Sequence, residues 1–210
     1  MSFYRFCQYL VRTVAPLFGG LEVRGKENVP TSGPFFLLAN HQSTLDPVLI
    51  QTACPRPIHT MAKSTQFTNK PLAQIMFLLH SYPVRRYQVD PQAVRYTLRI
   101  IERGEPVGIY IEGERTWDGR LQEPRPGTAR LILKAGAPVV PCTIDGSFDA
   151  WPRWDSKPQR GRVTVTFGKP LHFPKIDQKR ERERALPETL DTIMRAIASP
   201  LPEERQETGG

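Results

Sequence analysis

The stretch GPFFLLANHQSTLDP, Gly33 to Pro47, decides how this chain is read. Its first half is an unbroken apolar run from Phe35 to Ala39, set off by Gly33 and Pro34. Such a run, without polar alternation, predicts a buried strand ending at Asn40. Pro47 suits the first position of a helix, because its fixed φ fits there and its missing N–H costs nothing. Asp46 is then the expected N-cap, and Val48 to Cys54 continue the helix. Between strand and helix stand His41 and Asp46, five positions apart.

Working outward, strands and helices alternate. VDPQAVRYTLRIIERG, Val89 to Gly104, carries a complete helix signature. Asp90 caps it, Pro91 starts it, Val94, Leu98 and Ile101 form its stripe, and Gly104 stops it. VGIYIEG from Val107 reads as a strand running into a glycine turn, and GTARLILKAG as a short helix closed by Gly136. APVVPCTI and RVTVTF read as strands, and a further helix is expected near Pro71 to Leu79. The fold class is therefore α/β, a mostly parallel central sheet flanked by helices. In such sheets sites gather at the carboxyl ends of strands. His41 follows one strand and Glu112 to Arg115 follow another, so the two can meet in space.

The 210 residues fit one domain with an appendage. Residues 1–19 read as an amphipathic helix, with Phe3, Phe6, Cys7, Leu10, Val14 and Leu17 on one face and Arg5, Gln8 and Arg12 on another. That helix either docks on the protein's own core or lies in a bilayer interface, aromatics in and arginines at the phosphates. Residues 20–199 form the domain. It closes with a charged run from Asp177 and an amphipathic helix carrying Leu186, Leu190, Ile193, Met194 and Ile197. Residues 200–210 are expected to be a disordered tail.

A net charge of +8 favours anionic partners: an anionic membrane surface, phosphorylated substrates or nucleic acid. Nucleic acid is disfavoured, since there is no zinc-finger spacing and no aromatic-basic RNA-binding signature. The three cysteines lack a C-x-x-C pair, which fits a reducing compartment. No apolar segment approaches the roughly 20 residues of a membrane span, and the N-terminus is not a convincing signal peptide. The four histidines show no metal-ligand spacing, so no metal is expected.

Two readings compete for His41 and Asp46. In one, Asp46 merely caps a helix and His41 is a loop residue. In the other, the carboxylate orients the imidazole as a general base. Spacing alone favours the first. Ser43 makes a poor nucleophile, because no G-x-S-x-G elbow exists here, not even around Ser147. It more simply bonds the turn backbone. In IEGERTWDGR, Gly113 lets a backbone approach a ligand and Arg115 offers a fork suited to phosphate. Arg85 and Arg86 are adjacent in an extended piece, so only one can face the same site. Trp151 and Trp154, set among cations, suit either a bilayer interface or a packed loop.

Taken in order, NHQSTLD, YPVRR, YIEGERTWDG and VVPCTIDG resemble the glycerolipid acyltransferase family, that of the 1-acylglycerol-3-phosphate acyltransferases. The similarity runs from about Gly20 to about Leu171. The family's N-H-x(4)-D block is matched by Asn40, His41 and Asp46, its second block points to Arg86, its third is matched at Glu112, Gly113 and Arg115, and its fourth at Pro141. Four blocks in order overturn the capping reading.

The resemblance implies acyl transfer from a thioester, acyl-CoA or acyl carrier protein, to a glycerolipid hydroxyl, with no cofactor. His41 would be the base and Asp46 its orienting acid. Arg86, Glu112, Gly113 and Arg115 would hold the acceptor's phosphate, and Pro141 would help wall the acyl pocket. Backbone N–H groups near Gln42 and Ser43 are candidates for the oxyanion. Two departures stand out: Ile111 replaces the family's proline and Glu114 its threonine, the latter an awkward carboxylate beside a phosphate unless an arginine pairs with it. The implied protein is peripheral, on the cytoplasmic face of the membrane, acting on lysophosphatidate. The alternatives are another lysophospholipid, glycerol 3-phosphate, or a non-catalytic role in binding anionic lipid.

Overall fold

The computed structural model describes residues 3–206. Seven strands form one sheet: β1 (Leu21–Arg24), β2 (Phe36–Ala39), β3 (His59–Lys63), β4 (Ser81–Val84), β5 (Val107–Tyr110), β6 (Val139–Asp145) and β7 (Val163–Phe167). Their spatial order is β1-β7-β6-β2-β5-β3-β4. Every neighbouring pair is parallel except β6 with β7, so β1 and β7 together run against the rest. The helices are α1 (Phe3–Val14), α2 (Asp46–Ala53), α3 (Lys70–Leu78), α4 (Pro91–Glu102), α5 (Pro126–Ala135), α6 (Ser147–Ala150), α7 (Lys179–Ala198) and α8 (Glu203–Gln206).

β2 lies at the middle of the sheet, and its neighbours explain its composition. Phe35, Leu37 and Ala39 enter a core cluster shared with α2, β6 and β7. Phe36 and Leu38 enter the opposite cluster, shared with α4, α5 and α7. With both faces covered, a polar residue at any of these positions would be stranded without water. Each large side chain buried here stabilises the fold by about 1.5–3 kcal/mol.

α4 begins and ends as its signature predicts. Asp90 accepts the N–H groups of Gln92 and Ala93, and Gly104 follows at a φ of +80°. β1 and β3 were not foreseen. Both are short and lack a clean alternation, so their pairing to β7 and to β4 and β5 comes from tertiary context.

α1 docks, but not by its apolar stripe. Tyr4 is buried at 3% exposure. The Gln8 amide and the Arg12 guanidinium donate to the carbonyls of Gln51 and Thr52 at the end of α2. A helix end leaves its last carbonyls unpartnered, and α1 supplies the donors with its polar face. Phe6 and Leu10 stay 49% exposed and Leu17 66%.

The expectation of disorder from 200 onward does not hold for the segment from Leu201 to Gln206. Leu201 is buried, the Arg205 guanidinium bridges Asp145 and Asp149, and the Arg205 carbonyl accepts the N–H of Leu121. A single buried leucine and a partly exposed ion-pair network outweigh the segment's polar composition. The last four residues, 207–210, lie outside the described residues. Among the described residues, no helix is long and apolar enough to cross a membrane.

Candidate active site

The site forms where β2, β5 and β6 end side by side. Asn40 follows β2 directly and clips onto β6, its amide donating to the Ile144 carbonyl and accepting the Ile144 N–H, both at 2.8 Å. A side-chain amide can stand in for a peptide group in this way, and here it extends the β2–β6 ladder by one step. The chain then leaves the sheet at His41, whose backbone is clamped from both sides. Its N–H donates to the Glu112 carboxylate at 3.0 Å, and its carbonyl accepts the Thr116 N–H at 2.8 Å.

His41 Nδ1 meets Asp46 Oδ2 at 2.7 Å, with both side chains buried. Because Oδ2 is a carboxylate oxygen, Nδ1 carries the proton and Nε2 keeps the lone pair. Among the described residues no group bonds Nε2, which is left for a substrate. Burial lowers the basicity of His41, the charges of Arg86 and Arg115 lower it further, and the bond to Asp46 opposes both. The imidazole is thus neutral at neutral pH, the state a general base needs. The Tyr110 ring stacks on it at a centroid distance of 3.9 Å and fixes its plane.

Asp46 is not the N-cap that was expected. It is the first residue of α2, after Leu45, and its side chain reaches backward. Oδ2 accepts the N–H groups of Gln42 and Ser43, each at 2.7 Å, while Oδ1 accepts the Ser147 hydroxyl at 2.6 Å. The amides of Gln42 and Ser43 are therefore committed to Asp46, which removes them as oxyanion donors. Ser43 Oγ accepts the Leu45 N–H and donates to the Trp151 carbonyl, a turn-fixing role.

Glu112 does not face a ligand. It is 2% exposed, and its two carboxylate oxygens accept the N–H groups of His41 and Gln122. Burial raises its pKa to about 8 against the pull of those two donors. Its work is to hold the histidine loop. Gly113 turns at a φ of +78°, and a Cβ there would press on the Arg125 side chain at 3.0 Å. Ile111, in place of a proline, donates its N–H to the Ala39 carbonyl at 2.9 Å, a bond proline could not make. Pro141 sits within the sheet opposite Leu38, with Gly168 beside its ring; it is a buried sheet residue rather than an edge of an open cleft.

The arginines divide into paired and unpaired. Arg85 turns to Asp90. Arg86 is half-buried and has no carboxylate partner among the described residues. Among the described residues the Arg115 guanidinium bonds a single group, the hydroxyl of Thr44. Desolvation and the neighbouring charges of Arg153 and Arg86 lower the proton affinity of Arg115, which places three guanidiniums close together. Such crowding is unfavourable until an anion arrives. Glu114 is taken up by others: Arg125 at 3.2 Å, Arg153 at 3.9 Å and the Tyr87 hydroxyl. Arg153 also lies 3.4 Å over the Trp117 ring and donates to the Arg115 carbonyl. Neither Arg125 nor Arg153 stood out in the sequence, where the added carboxylate of Glu114 was the available hint.

Residues 20–145 match the family model for the Acyltransferase domain, more than half of the chain. The chain belongs to the acyltransferase family. It is 28% identical over 203 residues to the 1-acyl-sn-glycerol-3-phosphate acyltransferase of Bacillus subtilis (strain 168), covering 94% of this chain and 98% of that one. It is also 28% identical to the chloroplastic 1-acyl-sn-glycerol-3-phosphate acyltransferase LPAT1 of Arabidopsis thaliana, over 76% of this chain but 46% of the plant protein. The crystal structure of the 1-acyl-sn-glycerophosphate (LPA) acyltransferase PlsC from Thermotoga maritima superposes with a TM-score of 0.75 at 22% identity, covering 90% of this acyltransferase and 77% of that chain. The α/β architecture is therefore shared.

Proposed function

We propose that this acyltransferase moves a fatty acyl group from a thioester donor, acyl-CoA or acyl carrier protein, to the sn-2 hydroxyl of 1-acyl-sn-glycerol 3-phosphate. The observation that carries the reading is a neutral, Asp46-anchored His41 beside two guanidiniums, Arg86 and Arg115, that no carboxylate among the described residues pairs with. The names of the relatives support the same acceptor.

The acceptor's phosphate binds Arg86 and Arg115, which brings its hydroxyl to His41 Nε2. Nε2 takes the hydroxyl proton as the oxygen attacks the thioester carbonyl. Asp46 stabilises the imidazolium. The tetrahedral intermediate collapses, the C–S bond breaks, and the imidazolium returns its proton to the departing thiolate. General-base catalysis of this kind contributes about 10²–10⁴-fold, and holding both substrates together at least as much.

The enzyme works at an anionic membrane surface, peripheral and on the cytoplasmic face. Support comes from α1, which docks through polar groups and leaves Phe6, Leu10 and Leu17 outward. It comes also from α3, which leaves Leu72, Ile75, Phe77 and Leu78 exposed. The Tyr4 and His80 rings, 5.1 Å apart, join α1 to the turn that follows α3. Exposed apolar side chains gathered in this way mark an interaction or membrane surface.

Acyl transfer measured with a panel of lysophospholipids and glycerol 3-phosphate, for wild type and H41A, tests the reaction. Transfer to 1-acyl-sn-glycerol 3-phosphate that H41A abolishes is expected. Preference for another acceptor corrects the substrate, and an active H41A ends the reading. Sedimentation with anionic vesicles tests the surface: F6S/L10S should lower binding at unchanged Tm.

A further inference from the structure

We propose that Ser147 is a positioning residue of the catalytic pair, fixing the Asp46 carboxylate so that Oδ2 alone serves His41. Ser147 opens α6 immediately after β6 and is fully buried. Its hydroxyl donates to Asp46 Oδ1 at 2.6 Å, the one partner of that oxygen among the described residues. The other oxygen carries everything else, the His41 imidazole and the amides of Gln42 and Ser43.

The division matters because a carboxylate rotates about its Cβ–Cγ bond. Three donors on one oxygen and none on the other would leave a buried acceptor unpaired, a costly state. The carboxylate could then relieve it by swinging Oδ1 toward the imidazole or the amides. Ser147 removes that option. The Gln42 amide oxygen is a second, longer contact of its hydroxyl at 3.4 Å, and the Gln42 amide nitrogen is itself held by the Gly119 carbonyl. Asn40 clips β2 to Ile144, three residues upstream of Ser147, so the serine is carried on the same splint as the histidine. The final block of the sequence pattern thus reaches the chemistry through the residues that follow it.

Without the Ser147 bond, the charge of Asp46 falls more heavily on its bond to the imidazole, and the imidazolium is held more tightly. The other groups facing the pair are Tyr110 and Glu112 from the end of β5, Cys142 from β6, and the guanidiniums of Arg86 and Arg115. None of them touches Ser147, so they stay constant across its variants.

This inference rests on His41 as the base, and the experiment separates the two. The titration of His41 is followed by NMR on histidine-labelled protein, alongside kcat and KM against pH, for wild type, S147A, S147T and H41A. S147A is expected to move the His41 titration and the acid limb of kcat/KM upward together by about half a pH unit. Its kcat should fall roughly tenfold with both KM values nearly constant, because a carboxylate free to swing leaves the imidazole misplaced, which costs rate rather than binding. S147T, which keeps the hydroxyl, should return both toward wild type. Should S147A not fold, S147C keeps the volume with a far weaker donor and carries the same expectation. A His41 titration unmoved in the folded variant overturns the role of Ser147. An active H41A overturns the base assignment instead.

Discussion

The Glu112 carboxyl group holds the backbone N–H of His41 at 3.0 Å, so a residue of the third sequence block positions the histidine of the first. In the proposed function the phosphate falls to Arg86 and Arg115 alone. This reassigns Glu112 from ligand contact to loop clamp. E112A should therefore lower kcat, by about 10-fold or more, without selectively raising the acceptor's KM, because a misplaced base costs rate rather than binding. Steady-state kinetics with the acceptor varied decide it. A rise in acceptor KM at constant kcat would return Glu112 to the phosphate.

The same carboxyl makes stability depend on pH in a set direction. Its folded pKa, about 8, lies above its ordinary value of 4.5. Between these, the native state holds a proton that the unfolded chain has lost, so this contribution is complete below 4.5 and is lost as pH rises through 8. Chemical denaturation of wild type and E112Q from pH 5 to about 8.5 should show the wild-type advantage shrinking as pH rises.

The histidines act at the other end. Burial lowers the basicity of both His41 and His80 below the ordinary value of 6.5. The unfolded chain then binds more protons as pH falls past 6.5, and the native state loses stability progressively below it. His80 Nδ1 is sealed from solvent without a partner. H80Q should thus flatten the acid side of the Tm–pH curve. A slope equal to wild type would show that His80 escapes burial in solution.

Asn40 supports two backbone bonds that leucine could not. N40L should destabilise the fold by about 2–4 kcal/mol, since the N–H and C=O of Ile144 are left unpaired in a dry site. Urea denaturation gives the value. A loss below about 0.5 kcal/mol would mean that water replaces the clip.

Glu114 tempers the arginine cluster rather than opposing it. E114Q keeps the shape and removes the charge that Arg125 and Arg153 share. The acceptor's KM should fall about 2–5-fold at low salt, and the difference should fade toward about 1 M ionic strength. No salt-dependent change would place the bound phosphate beyond the reach of Glu114.

Tyr110 carries a hydroxyl that is buried with no partner, while its ring supports His41. Y110F should raise Tm by a few degrees and leave kcat near wild type, because the stacking survives and the stranded group is gone.

The strongest local and periodic signals were legible in the residues alone. The apolar run into β2, the Asp90–Pro91 start and Gly104 stop of α4, and the order of the four blocks follow from backbone preferences and chain spacing. These carry the α/β architecture and bring His41, Asp46 and the arginine-bearing turns into one neighbourhood. The tertiary structure decided the directions of side chains. It turned Asp46 back onto Gln42 and Ser43, turned Glu112 inward, set Ser147 on the far carboxylate oxygen, and docked α1 by Tyr4, Gln8 and Arg12 instead of its apolar stripe. The reason is physical. A buried donor or acceptor takes whichever partner the fold brings within about 3 Å, and that partner stands anywhere in the chain.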